Sequence, residues 1–221
     1  MCTIDTKLKQ ETEEGAQIMK IIILGAGNIG STLGSKWANK GHEVVFGVRD
    51  PQAEKVQALL AKMGQGTTAV SISTAAANAE VVVFAIPGSA MAATAAQLGS
   101  QLNGKILIDT TNNVGQPVMG SLDVLRQAAP DSPIFRAFCT LGWENFAVPV
   151  IDGMQVDLFY CGDGGGEQTA VDNLITDIGL RPVYVGGVET ADLLDALTRL
   201  WFIMAFQKGY GRHLAFKMIG D

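Results

Sequence analysis

The chain has 221 residues, of which 48 % are apolar and 17 % charged, with a net charge of −6. An average soluble protein carries roughly 25 % charged residues, so a disordered chain is excluded and a large core is expected. The acidic balance argues against sequence-blind binding of nucleic acid. Three scattered cysteines without a CxxC, and only two histidines, argue against a disulfide framework or a metal site and fit a reducing cytosol.

Residues 1–18 are polar and lack an apolar h-region, so they read as a tail rather than a signal peptide. No apolar run reaches the ~20 residues of a membrane span. From Met19 the pattern is strand, turn, helix, repeated. Ile21-Ile22-Ile23-Leu24 is a β-branched run of the kind buried on both faces of a parallel sheet. A helix over 28–39 follows, stopped at Gly41, and then a strand at Val44-Val45-Phe46. His42 enters that strand at the end remote from any ligand and is expected at the surface. Asp50-Pro51 reads as the N-cap and first residue of a helix reaching Met63.

A weak strand at 69–72 precedes the clearest strand, 80–86, which Pro87-Gly88 ends. A helix over 91–102 leads to a strand at 105–109. Further on come a helix at 122–129, strands at 134–138 and 156–161, a helix at 167–178 and a strand at 182–185. A long helix is expected over 190–218, carrying His213. Its residues Leu193, Leu194, Leu197, Leu200, Trp201 and Met204 form a wide buried stripe. The fold class is α/β: a Rossmann-type, doubly wound, mostly parallel sheet with a small C-terminal α/β extension ending in a long helix. The expected division is a tail (1–18), a dinucleotide-binding domain (19–138) and a C-terminal part (139–221).

Gly25-Ala26-Gly27-Asn28-Ile29-Gly30 fits GxGxxG and lies between a buried strand and a helix, where that fingerprint binds a pyrophosphate. Gly25 permits the turn, Gly27 the approach of the ligand, and Gly30 close helix packing. The helix N-terminus then faces the anion. A methyltransferase would carry an early acid in this motif, and none lies between Met19 and Asn39. The second strand ends in Arg49 where an NAD site places Asp or Glu, so a 2′-phosphate, hence NADP, is preferred. Ligands bind at the carboxyl ends of parallel strands. That adds Ala85, Ile86 and Pro87 at one strand end, and Thr111 and Asn112 at another, whose hydroxyl and amide groups would hold the carboxamide.

No catalytic acid, base or nucleophile stands out. Cys139 lies at the cleft edge without an activating base, and Cys161 reads as core. Reduction of a carbonyl needs a proton donor, whereas hydride exchange between two cofactors needs mainly proximity and orientation.

The sequence resembles the F420-dependent NADP oxidoreductases and the related reductase domain of the STEAP metalloreductases. The resemblance rests on Lys20–Gly30, Gly41–Arg49, Ile86-Pro87, Tyr160-Cys-Gly-Asp163, Gly179-Leu-Arg-Pro182 and the leucine-rich terminal segment. It implies an NADP-binding Rossmann domain, a C-terminal part covering a deazaflavin, direct hydride transfer and a homodimer. Gly25, Gly27, Asn28, Ile29 and Gly30 match the family's pyrophosphate loop, Arg49 its 2′-phosphate contact and Pro87 the turn under the nicotinamide. Three positions depart from the family pattern. Val48 replaces Ser or Thr, Gly88 replaces a tryptophan, and Cys139 replaces a histidine. The last two belong to the second-substrate pocket. The expected function is thus an NADP(H)-dependent oxidoreductase acting on F420, a flavin or another small redox acceptor, without nucleic acid or membrane as partner. The alternatives are a reductase of ferric complexes or of small imines or carbonyls, and a non-catalytic NADP sensor.

Overall fold

The computed structural model describes residues 18–63 and 66–220. The tail expected at 1–18 lies, apart from Ile18, outside the described residues, as does Cys2. The elements are β1 (Lys20–Leu24), α1 (Asn28–Asn39), β2 (Glu43–Val48), α2 (Glu54–Met63), β3 (Thr67–Ser71), α3 (Ile72–Ala75), β4 (Val81–Phe84) and α4 (Met91–Leu98). They continue with β5 (Ile106–Asp109), α5 (Leu122–Ala128), β6 (Ile134–Arg136) and α6 (Trp143–Ala147). The short strands β7 (Val150–Ile151) and β8 (Met154–Gln155), then β9 (Asp157–Gly162), α7 (Gly166–Asp177), β10 (Arg181–Tyr184) and α8 (Ala191–Phe202) complete the order.

Eight strands form one sheet in the order β10-β9-β6-β5-β4-β1-β2-β3. Every pairing is parallel except β6 with β9, which is antiparallel. The Rossmann-type class expected from the sequence is therefore the observed one. The apolar runs are continuous because both faces are covered. Ile21 and Ile23 point into a core shared with Leu33, Trp37, Val171 and Leu174. Ile22 and Leu24 point into another shared with Met91, Leu98 and Leu125. The Trp37 indole N–H donates to the Leu174 carbonyl at 2.9 Å, tying α1 to α7 across the first core.

Register decides where a ligand can lie. Gly47, Leu24, Phe84, Asp109 and Arg136 pair in one row across five strands. The chain leaves the sheet just beyond this row, at Gly25, Ala85, Thr110 and Ala137, and opens a cleft along the carboxyl edge.

Three local expectations change, and one element is added. His42 is buried: its Nδ1 accepts the Met19 N–H at 3.1 Å, which places the ring proton on Nε2, facing Asp177 Oδ2 at 2.9 Å. It fastens β2 to α7 at the edge opposite the cleft. Asp50 accepts the Gln52 N–H at 2.9 Å in a turn, and the helix starts only at Glu54. A hairpin, β7–β8, turns through Asp152 and Gly153 with φ of 50° and 77°, the left-handed pair of a tight two-residue turn. The terminal helix is present, yet α8 passes at Ile203–Gln207 into a π-helical turn. Gly209 and Gly211, with φ of 77° and 81°, then turn the chain out of helix. Residues 208–220 form an irregular strap that carries His213, whose Nε2 lies 2.9 Å from the Val148 carbonyl.

The buried face of α8 also differs from the leucine stripe. Leu194, Asp195, Thr198 and Trp201 point inward, whereas Leu193 and Leu200 are exposed. Two polar residues face the body because buried polar partners wait there.

Candidate functional site

The glycine turn separates into two kinds of glycine. At Gly25, φ is 102° and an added Cβ would fall 2.4 Å from the Ala85 carbonyl oxygen. At Gly30 a Cβ would fall 2.2 Å from the Gly25 carbonyl oxygen. The fold itself requires these two glycines. Gly27 differs: its φ of −79° suits any residue, and a Cβ there would meet nothing within 4 Å. No side chain caps α1 and no acid lies in its first turn, so its N-terminal N–H groups face open space. A strand-to-helix turn that leaves out a harmless side chain and aims free donors outward has the form of an anion cradle.

Two connected clefts meet at Gly27 and at Ala85–Pro87. The larger, about 750 Å³, runs from Gly25, Ala26 and Gly27 over Gly47 to Arg49, Lys55 and Ile72. Arg49 is exposed at its end, with Lys55 as a second cation that the sequence reading did not assign. The other, about 400 Å³, is lined by Asn28, Ile29, Pro87, Gly88, Thr111, Asn112 and Cys139, and is closed by Trp143, Trp201, Phe202 and Arg212. Of the expected site residues only Gly30 lies outside both clefts, packed beneath the turn. The aromatic wall and Arg212 were not foreseen. A 190–218 helix would have carried Arg212 away from the cleft, and only the glycine-rich strap returns it.

Thr111 and Asn112 line the cleft, but their side chains are held by the protein. Thr111 Oγ1 donates to Asp109 Oδ1 at 2.6 Å, and its N–H donates to the same oxygen at 2.8 Å. Asn112 Nδ2 donates to the Cys139 carbonyl at 2.8 Å, while its Oδ1 accepts from Arg136 at 3.1 Å. These bonds give both side chains a framework role at the cleft. The framework centres on Arg136, fully buried between Asp109 at 3.3 Å and Asp195 at 2.8 Å, and also donating to the Thr111 carbonyl at 2.8 Å. Asp109 and Asp195 in turn accept the Ser121 and Met119 N–H groups. A buried guanidinium with every partner in place fixes the loop 110–121 against α8.

Cys139 sits where β6 turns away, just after Phe138, which has φ of 60°. That left-handed backbone costs about 1–3 kcal/mol at a non-glycine residue. Edge contacts of the Phe138 ring with Trp37 and Phe146 hold it. Burial pushes the Cys139 thiol above its ordinary range, and the opposing pull of Arg136 does not overcome it. Burial likewise pushes Cys161 up to about 12. Both are neutral thiols, so neither is poised as a nucleophile. No Asp, Glu, His, Lys or Tyr lines the smaller cleft among the described residues. No described group of three or more His, Cys, Asp or Glu could hold a metal, and no described helix is long and apolar enough to cross a membrane.

Fold and clefts together define a dinucleotide-binding protein of the Rossmann class. Residues 20–113 match the family model described as NADP oxidoreductase, coenzyme F420-dependent. A Methanothermobacter thermautotrophicus protein named F420-dependent NADP reductase is 28 % identical over 206 residues, covering 83 % of this chain and 88 % of that one. The rat metalloreductase STEAP3 is 25 % identical over 183 residues, 80 % of this chain but 36 % of that protein. The crystal structure of a proposed F420-dependent NADP-reductase from Arthrobacter sp. FB24 aligns with a TM-score of 0.81 at 25 % identity, covering 91 % of this chain and all of the other. The chain resembles the F420-dependent NADP oxidoreductases in sequence and fold, and it is an oxidoreductase.

Proposed function

We propose that the protein binds NADP(H) along the carboxyl edge of the sheet and passes hydride to a flat, deazaflavin- or flavin-like acceptor in the smaller cleft. The observation that carries this reading is Gly27, a glycine with no structural need that keeps the α1 N-terminus open to a pyrophosphate. Arg49, with Lys55 beside it, suits a 2′-phosphate at the far end of the larger cleft. NADPH supplies the hydride; the chain orients it against Ile86–Gly88 and excludes water with Trp143, Trp201 and Phe202. The lack of a lining acid or base fits a transfer in which the hydride passes between two rings and the reduced acceptor takes its proton from solvent rather than from a side chain.

Further features support the rest of the reading. The exposed Leu193, Leu200 and Ile203 of the terminal helix support pairing of two copies. The free thiols Cys139 and Cys161 support a reducing, cytoplasmic setting. The test is fluorescence titration with NADPH and NADH, followed by NADPH oxidation with F420, FMN, FAD, a ferric chelate and a cyclic imine. Tight NADPH binding with turnover of F420 or a flavin is the expected result. Binding without turnover of any acceptor would leave a sensor, and turnover of the ferric chelate alone would favour the STEAP-like reading. Light scattering that gives a monomer at micromolar concentration would remove the pairing.

A further inference from the structure

Resting on that reading, we propose that Arg212 is the residue that holds the hydride acceptor, and that it selects a planar acceptor that bears or gains negative charge at its edge. The smaller cleft contains one charged side chain among its described lining residues, and it is Arg212. Its guanidinium is held in place from several sides. Nε donates to Glu144 Oε1 at 2.5 Å, and the guanidinium carbon stands 6.0 Å from the Trp201 ring centroid and 5.6 Å from that of Phe206. Its backbone carbonyl accepts from Asn145 Nδ2 at 3.2 Å. No described residue accepts a hydrogen bond from Nη1 or Nη2. An arginine at the cleft lining, held through Nε and through its face and with no described acceptor on its terminal amino groups, is a planar donor pair available to a ligand.

The chemistry of the transfer calls for such a group. Hydride transfer breaks a C–H bond on the nicotinamide and forms one on a ring carbon of the acceptor. The donor ring is left with one more positive charge. The acceptor's conjugated electron pair moves to an edge nitrogen or oxygen, which becomes anionic until it takes a proton from solvent. A guanidinium at that edge stabilises the charge as it develops; the described lining of the cleft holds no other charged side chain, and the Glu144 carboxylate that pairs with Nε stands outside that lining. The aromatic wall supplies the planar contact and Arg212 the charge.

The test compares the wild type with Arg212→Gln and Arg212→Lys in the full chain, after thermal melts show both variants folded. The probes are F420, the same deazaflavin chromophore without its phosphate-bearing tail, and NADPH. Binding is read by quenching of Trp143 and Trp201 fluorescence, and turnover by NADPH oxidation. Arg212→Gln should lose at least tenfold in deazaflavin affinity or in kcat/KM, with the NADPH Kd unchanged within twofold, and Arg212→Lys should recover part of the loss. A loss confined to kcat and equal for both chromophores assigns the contact to charge developing on the ring. A loss in KM for tailed F420 alone assigns it to a permanent anion. Deazaflavin binding and turnover within twofold of wild type in Arg212→Gln would overturn the proposal, as would an equal loss of NADPH binding. If wild type binds the deazaflavin without oxidising NADPH, the reaction reading fails, while the quenching series still decides on Arg212.

Discussion

On one side of the cleft the lining is Gly25–Gly27 and Ala85–Gly88, mostly small residues that let a ligand approach the backbone closely. On the other side it is Trp143, Trp201, Phe202 and Arg212, bulky groups carried by α6, α8 and the strap. The first side would recognise by main-chain donors at strand ends, which register fixes. The second would recognise by side chains on two helices and the strap, elements outside the sheet, so its specificity can change without disturbing the strand register. Gly88 lies between the two: a Cβ there would fall 1.9 Å from Asn113 Oδ1, so a larger residue requires the Asn113 amide to leave its bonds to the Met119 carbonyl and Ser121. Gly88 and Cys139 thus lie where the small-residue edge meets the aromatic wall.

The junction is held by Arg136, and the largest expected effect comes from breaking it. Asp195→Ala removes one carboxylate from a guanidinium with no exposed surface and frees the Met119 N–H. Stripping one partner from a buried pair costs about 3–5 kcal/mol. Chemical denaturation should show a loss of that order. A loss below about 1 kcal/mol would mean that wall and edge are not coupled here. The same contact bears on truncation after Val188. Such a cut removes Asp195, so it would unfold the junction rather than only strip a covering helix.

The next test separates fold from ligand within the glycine turn. Gly27→Val should abolish NADPH binding, by two decades or more in Kd, because a side chain enters the space kept for the pyrophosphate. Its stability should stay within about 1 kcal/mol, the cost of a poor N-cap residue. Gly25→Ala should instead destabilise by about 2 kcal/mol or more, through its φ of 102° and the Ala85 carbonyl. Equal melting losses in the two variants would erase the distinction.

This contrast also explains what was legible in the sequence. The edge could be read because its chemistry is local: a strand, a glycine spacing and a cation about 20 residues on. The wall could not, because Trp143, Trp201 and Arg212 are far apart in the chain and meet only through tertiary contacts. Helical periodicity over 190–218 was misleading at both ends. Gly209 and Gly211 end the helix early, and Asp195 and Thr198 turn inward because Arg136 and the Cys139 carbonyl lie beneath them. His42 looked like a surface residue for the same reason: its partner Asp177 is 135 residues away.

A smaller effect concerns dinucleotide choice. Arg49→Ala should weaken NADPH binding by about 1.5–3 kcal/mol, the range for hydrogen bonds to charged groups, and leave NADH nearly unchanged. Lys55→Ala should cost less, since an exposed lysine acts as a screened point charge. Calorimetric titration with both nucleotides checks this. Equal losses for NADPH and NADH would assign Arg49 to the turn rather than to the phosphate.

The smallest effect tests how the wall stays closed. The strap is fastened at its far end to Asp157, fully buried at the start of β9. Asp157 Oδ1 accepts from Lys217 Nζ at 2.8 Å, and Oδ2 accepts the Met218 N–H at 2.8 Å. Arg181 of β10 donates to both oxygens. Burial alone would raise this carboxyl, but the bonds from Arg181, Lys217 and Met218 outweigh it and hold it at about 2. The folded value lies below the ordinary carboxylate value near 3.9, so the contribution to stability is complete above about pH 4. It is lost as pH falls toward 2, where the folded carboxyl takes up its proton. The strap should therefore come away in acid before the sheet does. Hydrogen exchange of residues 208–220 should rise between pH 4 and 2 in the wild type. Asp157→Asn should show raised exchange there already at neutral pH, with little further change in acid. An equally steep acid response in Asp157→Asn would move the fastening to another group and leave the wall held mainly by Asn145, Trp201 and the carbonyls of Arg212 and Leu214.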